Sequence, residues 1–429
     1  MWGEYQDEGG KVGAISITVG HSKDKRPDKN QLKVGLGTAD GVVCDAKVLS
    51  GNEDDKTHNN VTIDDAATLL QQHKVDRSGF YYVADAAFFT EENLRKAQSY
   101  RMHFITRAPE TLHVTNELLK TAWEQTDAFR RTAFTNAQQT ETPYYVQEFI
   151  DEYRGIPGRF AVCYSPQLET QKHKTVMRRV DKERKKLDDL ARISKKRTFV
   201  CEEDAVKEIA MLQKKKLHKV RYHQIQLDVV AKEQRGRGRP RKDEAKTAKR
   251  YAYSLVWNID PDEVRIEAAI KREATFVLAT NDLSLSAEEI LEEYRTQNSV
   301  EKKFQQLKSP HFVNSLYLNR PERVEALVYL ILTALMLLSV AERVVRREME
   351  AEEETVVGPG RITMTRPSLR AIVGIFRYVP VNREIYEGHV TRYHLETLTE
   401  SQQKILRHLG IPESVFTDGP TVWITKNTS

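Results

Sequence analysis

Cysteine is scarce in this chain of 429 residues, and its three copies, Cys44, Cys163 and Cys201, lie far apart. No two of them have the close spacing of a zinc knuckle, and three isolated sulfurs do not make a disulfide framework. The sequence therefore argues against a zinc knuckle and against a disulfide-stabilised domain, and it indicates a reducing compartment, the cytoplasm.

Long apolar runs are also rare. The one that stands out covers 326–341, or 16 residues, which is shorter than the roughly 20 that span a bilayer. Charged residues flank it on both sides: Arg323, Glu325, Glu342, Arg343 and Arg346. We therefore expect a buried core helix and no membrane attachment. The polar opening, Met1–Tyr5, does not have the pattern of a signal peptide.

Charge is unevenly distributed along the chain. Residues 171–250 contain 27 Lys and Arg against 12 Asp and Glu, whereas the rest of the chain contains 40 against 50. A basic segment in an otherwise acidic chain suggests a polyanionic partner, of which nucleic acid is the usual one. A solvated charged helix is the open alternative.

The predicted elements change character twice. A hairpin with Asp40-Gly41 at its turn comes first, followed by a β–α–β unit whose helix is capped by Thr90. Between about 110 and 280, Lys- and Glu-rich helices alternate with strands, and from 286 the pattern is helical, with one helix over 286–307. We predict an α/β protein in four parts: 1–109, 110–283, 284–350 and 351–429.

Two features could carry chemistry. Asp85 directly follows an apolar strand, where a carboxylate can reach a hard cation such as Mg²⁺; a turn or cap role is the plain alternative. Within 286–307, a row at helical spacing mixes aromatic, amide, carboxylate and ammonium groups, which is unusual for a solvated face. Its members are Tyr294, Gln297, Glu301, Phe304 and Lys308.

The ordered series of motifs resembles the DDE-type insertion-sequence transposases. Their signature Tyr-x2-Arg-x3-Glu-x6-Lys stands here as Tyr294-x2-Gln297-x3-Glu301-x6-Lys308, with glutamine in place of arginine. Further stretches that resemble one branch of that group are 21–28, 50–52, 84–86 with 91–94, 104–111, 315–318 and 321–327. No single motif is specific, but the series runs in order from near residue 1 to about 410.

The resemblance implies a fold and a set of roles. The fold is a ribonuclease-H-like mixed sheet with an inserted strand-rich, basic domain and a helical C-terminal part. Asp85 and Glu301 would be the second and third catalytic acids, binding two Mg²⁺ or Mn²⁺ ions that promote cleavage and joining of transposon ends and target DNA. Tyr294, Gln297 and Lys308 would contact the DNA near the cleaved bond. The place of action would be the cytoplasm, at the nucleoid.

The first acid of that family lies on an opening strand, before the stretch that here is Gly3-Glu4-Tyr5. Asp7, Asp24 and Asp28 do not follow an apolar strand and are poor replacements. The resemblance thus implies an N-terminally truncated transposase with its first strand missing, and we expect the isolated chain not to cleave DNA. It could instead bind DNA without catalysis, or regulate an intact transposase by pairing with it. Pairing with a second copy of itself, as a homodimer, is a further alternative.

A second basic motif lies in the middle segment. Gly238-Arg239-Pro240, flanked by Arg235, Arg237, Arg241 and Lys242, resembles an AT-hook, which lays arginines into a narrow A·T minor groove. A flexible basic loop that contacts phosphates is the alternative for this motif. For the protein as a whole, an unrelated metal-dependent nuclease is a further alternative to the transposase.

Overall fold

The structure is a computed structural model. It describes residues 2–3, 15–20, 28–77, 79–135, 140–233, 251–309, 318–387 and 389–417. The candidate arginines Arg235, Arg237, Arg239 and Arg241 lie outside these residues, as do most of the motif 21–28 and the tripeptide 315–317.

The chain divides into two units, Met1–Thr106 with Glu292–Ser429, and Arg107–Leu291. The first begins with β1 (Trp2–Gly3), β2 (Asn30–Ala39), β3 (Val42–Ser50), α1 (Asp55–Gln72), β4 (Tyr81–Ala84), α2 (Glu91–Ser99) and β5 (His103–Arg107). The second contains α3 (His113–Glu124), β6 (Arg130–Thr135), β7 (Glu141–Tyr153), β8 (Ile156–Tyr164), α4 (Pro166–Lys195), α5 (Glu202–Lys215), β9 (His223–Glu233), β10 (Tyr251–Pro261), α6 (Glu263–Glu273) and β11 (Thr275–Thr280). After α7 (Ala287–Arg295), the first unit resumes with α8 (Asn298–Leu307), α9 (Pro321–Ala351), β12 (Val356–Val357), β13 (Thr363–Met364), α10 (Leu369–Ile375), β14 (Val381–Tyr386), β15 (His389–Leu395) and α11 (Glu400–Leu409). The protein is therefore a mixed α/β protein.

The predicted hairpin and β–α–β unit are both present in the first unit. Asp40 and Gly41 have φ of 49° and 77° and connect β2 to β3 as the two-residue turn with positive φ that matches strand twist. The side chain of Thr90 accepts a hydrogen bond from the amide of Asn93 at 3.3 Å and caps α2. Strands β4 and β5, which come before and after α2 in the chain, pair in parallel.

Gly51, part of one of the family-like motifs, has a steric reason to be glycine. A Cβ atom there would lie 2.1 Å from the carbonyl oxygen of Gln31 and 2.5 Å from that of Thr18. The Gly51 amide donates to Ser16 at 3.0 Å, and its carbonyl accepts from the Gln31 side chain at 3.0 Å. The motif at this position therefore specifies close packing of backbone on backbone.

The apolar run becomes part of α9, a helix of 31 residues that packs on β3. One stripe is buried against the hairpin, through Val324, Val328, Leu332 and Leu335, and Ser339 accepts a hydrogen bond from the Val43 amide at 2.9 Å. The opposite face stays exposed. By length and composition α9 is the one helix in the described part of the chain that could cross a membrane, and 28% of its most apolar stretch is buried. The predicted core helix is thus buried along one stripe.

The second unit is strand-rich and antiparallel. Strands β6, β7, β8 and β11 pair in that order, and β9 and β10 form a separate long hairpin. The helix α4 buries Val176 and Val180 against Ile266 and Ile270 of α6, and Leu187 and Ala191 against Ile259 of β10. The side of α4 that packs against the rest of the second unit is therefore apolar.

Two expectations are corrected by the structure. The C-terminal part is not wholly helical, because β14 and β15 form a hairpin within it; its β-branched and aromatic residues favour strand, and Glu387 adopts the positive φ of the turn. The composition of Gly358-Pro359-Gly360 predicts a linker, whereas the structure has a tight 3₁₀ turn there, between the paired strands β12 and β13. For the last helix the sequence predicts a start at Thr399 and a stop at Gly410. The structure confirms both: Thr399 begins α11 in a capping box, and Gly410 ends it in the left-handed conformation.

Candidate functional site

Asp85 lies at the carboxyl end of β4, where the chain enters a 3₁₀ turn over Ala86–Phe88. Its Oδ1 accepts a hydrogen bond from the Ala87 amide at 3.0 Å, and its carbonyl oxygen accepts one from Thr106 Oγ1 at 2.8 Å. The backbone of Asp85 is therefore tied to β5. The cap role that the sequence left open is real, but it uses only one oxygen of an exposed carboxylate.

Aromatic packing holds this strand end rigid. The Phe88 ring lies 5.3 Å from the ring of Tyr82 and 5.6 Å from that of Phe104, and both distances are typical of stabilising aromatic pairs. Burial, reinforced by the negative charges of Asp45 and Asp85, raises the pKa of the Tyr82 phenol well above its usual range. Tyr82 is therefore a neutral phenol beside the Asp85 carboxylate at any physiological pH.

Glu301 lies in the first turn of α8, and the helix before it does not run on as predicted. The expected single helix over 286–307 breaks at Thr296 and Gln297, whose amides bond three residues back, to Glu293 at 3.0 Å and Tyr294 at 3.2 Å. The hydroxyl of Thr296 also bonds to the carbonyl of Glu293 at 2.7 Å, a local side-chain contact that competes with helical bonding.

The break divides the predicted row of functional residues. Gln297 is the N-cap of α8 and Lys308 its C-cap, and the Glu301 amide bonds to the Gln297 carbonyl at 3.3 Å. Gln297, Glu301, Phe304 and Lys308 thus remain on one continuous stretch of helix, whereas Tyr294 belongs to α7. Glu301 and Lys308 are exposed, and Tyr294, Gln297 and Phe304 are half-buried.

A buried ion pair anchors α8 to α9. Lys303 and Glu342 are paired with side chains only 4% and 6% exposed. Glu342 also accepts from Arg346 at 2.6 Å and from the Leu369 amide at 2.9 Å. These contacts fix the helix from its inner side, and Glu301, two residues before Lys303, points its carboxylate to the outside.

Asp85 and Glu301 share an electrostatic property. Both are exposed, and within the residues that the structure describes neither forms an ion pair with Lys, Arg or His. Two other acids of the first unit do have cationic partners: Asp64 pairs with Lys96 at 2.5 Å, and Glu342 pairs with Lys303 and Arg346. Unpaired carboxylate oxygens are the hard donors that Mg²⁺ and Mn²⁺ prefer, so each of the two carboxylates has the ligand chemistry that a divalent cation requires.

The structure also contains a cluster of two glutamates and a histidine that the sequence does not predict. Glu352, Glu354 and His408 place their ligand atoms within 4.8 Å of one another. Arg407 already bonds to Glu352 at 2.8 Å and to Glu354 at 2.7 Å, and His408 bonds to Glu354 at 2.9 Å. The hydrogen bond from Arg407, despite some desolvation, lowers the pKa of Glu354. This group is an ion-pair network that joins α11 to the end of α9, and it includes neither Asp85 nor Glu301.

Comparison with known proteins gives the family. A scan against protein-family profiles matches the Transposase DDE domain over residues 14–337, a range that includes Asp85, Glu301 and the whole second unit. A search of curated proteins finds no match. Because the matched range covers well over half of the chain, the protein belongs to the DDE transposase family.

Proposed function

We propose that this protein is the transposase of a prokaryotic insertion sequence, which cleaves element ends and transfers the strands to target DNA with divalent metal ions. The observation that carries the proposal is the pair of exposed carboxylates without cationic partners, Asp85 and Glu301, in a chain of this family. Its place of action would be the cytoplasm, at the nucleoid, where its DNA substrate lies.

We assign the two acids to metal binding. Asp85 would offer the oxygen that does not cap the 3₁₀ turn, and Glu301 would offer its carboxylate from the first turn of α8. Bound divalent ions supply the activation of the attacking oxygen and the stabilisation of the leaving oxygen in phosphoryl transfer. The contribution of the protein is to hold both carboxylates in place: Thr106 fixes the strand end at Asp85, and Lys303 fixes the helix at Glu301.

The residues around Glu301 would hold the DNA. Lys308, at the end of α8, would contact a phosphate, and Gln297 and Tyr294 would donate hydrogen bonds to phosphate or sugar oxygens. We propose that the first unit is a ribonuclease-H-like catalytic domain, that 110–283 is the insertion, and that 284–350 completes the domain. Parallel pairing of β4 and β5 with an acid at the strand end supports this assignment.

A second candidate function is DNA binding without cleavage, in a chain that regulates an intact transposase. The basic composition of residues 171–250, with 27 Lys and Arg against 12 Asp and Glu, favours it. Positive charge of this kind binds the phosphates of DNA without any need of catalytic acids.

One experiment separates the two functions. The 429-residue protein is incubated with labelled duplexes of its own element ends in Mn²⁺, and binding and strand cleavage are measured for wild type, Asp85→Asn and a control, Glu292→Gln, which changes an exposed acid on α7. Cleavage that Asp85→Asn abolishes and Glu292→Gln retains would support the transposase. Binding without cleavage would support the second candidate. Absence of any binding to DNA would contradict both.

A further inference from the structure

The long helix α4 carries a row of cations on the face opposite its buried side. Val176, Val180, Leu187 and Ala191 face the interior of the second unit. Lys174, Arg178, Lys182 and Lys185 follow one another at spacings of four, four and three residues, all exposed. Side chains at these spacings lie on one face of a helix. We call these four residues the α4 row.

Within the described residues the α4 row lacks anionic partners, as do Lys186 and Lys195, whereas four other cations of the same helix, Lys172, Arg179, Arg184 and Arg192, form ion pairs. Lys172 and Arg179 pair with Glu273 at 3.7 and 2.6 Å, and Arg184 pairs with Asp188 at 3.0 Å. For the four members of the row, the described residues provide no ion pair or hydrogen bond to the side chain. Asp181 is the one acid exposed between them, so the row keeps a net positive charge.

Such a row costs folding stability, because like charges three or four residues apart repel one another. The repulsion is removed when a polyanion lies along the helix. From Lys174 to Lys185 the row extends about 16 Å at 1.5 Å per residue. A strand of B-DNA presents one phosphate per about 3.4 Å of helix axis, so the row is long enough to face several successive phosphates.

We propose that the α4 row is a contact surface for the phosphate backbone of duplex DNA. The inference rests on the proposed function for the identity of the polyanion, but it adds a surface on the second unit that is separate in sequence from Asp85, Glu301 and the arginines of 235–241. Contacts of this kind position DNA and carry no base specificity, because the ammonium and guanidinium groups meet phosphate oxygens alone.

The salt dependence of binding tests the row. The variant Lys174→Gln, Arg178→Gln, Lys182→Gln, Lys185→Gln is compared with a control in which four ion-paired lysines of the second unit are changed to Gln: Lys120, Lys172, Lys207 and Lys271. Both variants lose the same charge. The dissociation constant of a 30-base-pair duplex is measured by fluorescence anisotropy over a series of salt concentrations.

A plot of the logarithm of the association constant against the logarithm of the salt concentration has a negative slope. In the row variant this slope should be shallower by about 3 to 4, since each phosphate contact contributes about 0.9. The control should leave the slope close to that of wild type. The half variants Lys174→Gln, Arg178→Gln and Lys182→Gln, Lys185→Gln should each give about half of the change, which guards against a folding defect in the fourfold variant.

Two results would overturn the inference and they differ from failure of the proposed function. Equal slopes in wild type and row variant, with wild type binding DNA, would remove the row from the interface and leave the transposase assignment intact. Dependence on the row for an RNA duplex but not for DNA would also contradict it. A wild-type protein that binds no duplex DNA would refute the proposed function and this inference together.

Discussion

The two units of this protein leave charges of opposite sign without partners. Within the described residues the exposed carboxylates Asp85 and Glu301 of the first unit form no ion pair, and neither do the four cations of the α4 row in the second unit. Elsewhere, charges such as Lys303 and Glu342 are paired and buried. The contrast suggests a rule for this chain: buried charges are compensated and stabilise the fold, whereas the metal and DNA sites that we propose use exposed charges that form no ion pair.

The largest effect on stability is expected where a compensated charge is buried. Glu342→Ala would leave Lys303, Arg346 and the Leu369 amide without their acceptor, and breaking a buried pair by removing one partner costs about 3–5 kcal/mol. Urea unfolding measures the loss. The matched control is Glu348→Ala on the same helix, whose pair with Arg347 is exposed and should be worth no more than about 1 kcal/mol. Equal losses from the two variants would break the rule.

A smaller effect, dependent on pH, is expected at Glu183 in the second unit. Burial raises the pKa of this carboxyl. Hydrogen bonds from His223 and from the amides of Arg221 and Tyr222 lower that pKa by more than burial raises it, so the pKa lies below its usual value. A carboxylate whose pKa is depressed by folding stabilises the folded state above its unfolded pKa of about 4.3, and that stabilisation is lost as pH falls through the folded pKa.

Glu183→Gln should therefore remove part of the loss of stability that wild type shows below about pH 4.3. At pH 7 it should cost about 1–3 kcal/mol, because buried donors lose a charged acceptor. Unfolding free energies measured from pH 3 to 7 check both statements. Asp188→Gln on the exposed side of α4 is the control, and a variant curve that runs parallel to wild type at all pH values would contradict the prediction.

The sequence predicts local elements better than it predicts continuity. Asp40-Gly41, Thr90 and Gly410 specify a turn, a cap and a helix end by their own backbone and side-chain preferences, and the structure has each of them. Helical periodicity alone did not reveal the break at Thr296 and Gln297, because both residues keep helical spacing while local hydrogen bonds replace those of the helix.

The same limit applies to the site and to the ends of the chain. The position of Asp85 at a strand end could be predicted from the apolar residues before it, whereas the partners of Lys303 and of Arg407 lie 39 and 55 residues away along the chain and no spacing reveals them. The hairpin of β14 and β15 could not be predicted from periodicity, because its strands lack an apolar alternation, and β14 is largely exposed.

The most direct test of the account measures Mn²⁺ binding by electron paramagnetic resonance in wild type, Asp85→Asn, Glu301→Gln and the control Glu292→Gln. We predict that the free energies of unfolding of Asp85→Asn and Glu301→Gln lie within about 0.5 kcal/mol of the wild-type value, as is usual for substitutions of exposed residues. Both variants should bind Mn²⁺ at least about tenfold more weakly, since loss of even an outer-shell partner costs about 10–100-fold, whereas Glu292→Gln should bind as wild type does. Undiminished Mn²⁺ binding in Asp85→Asn and Glu301→Gln would contradict the assignment of these two carboxylates as metal ligands.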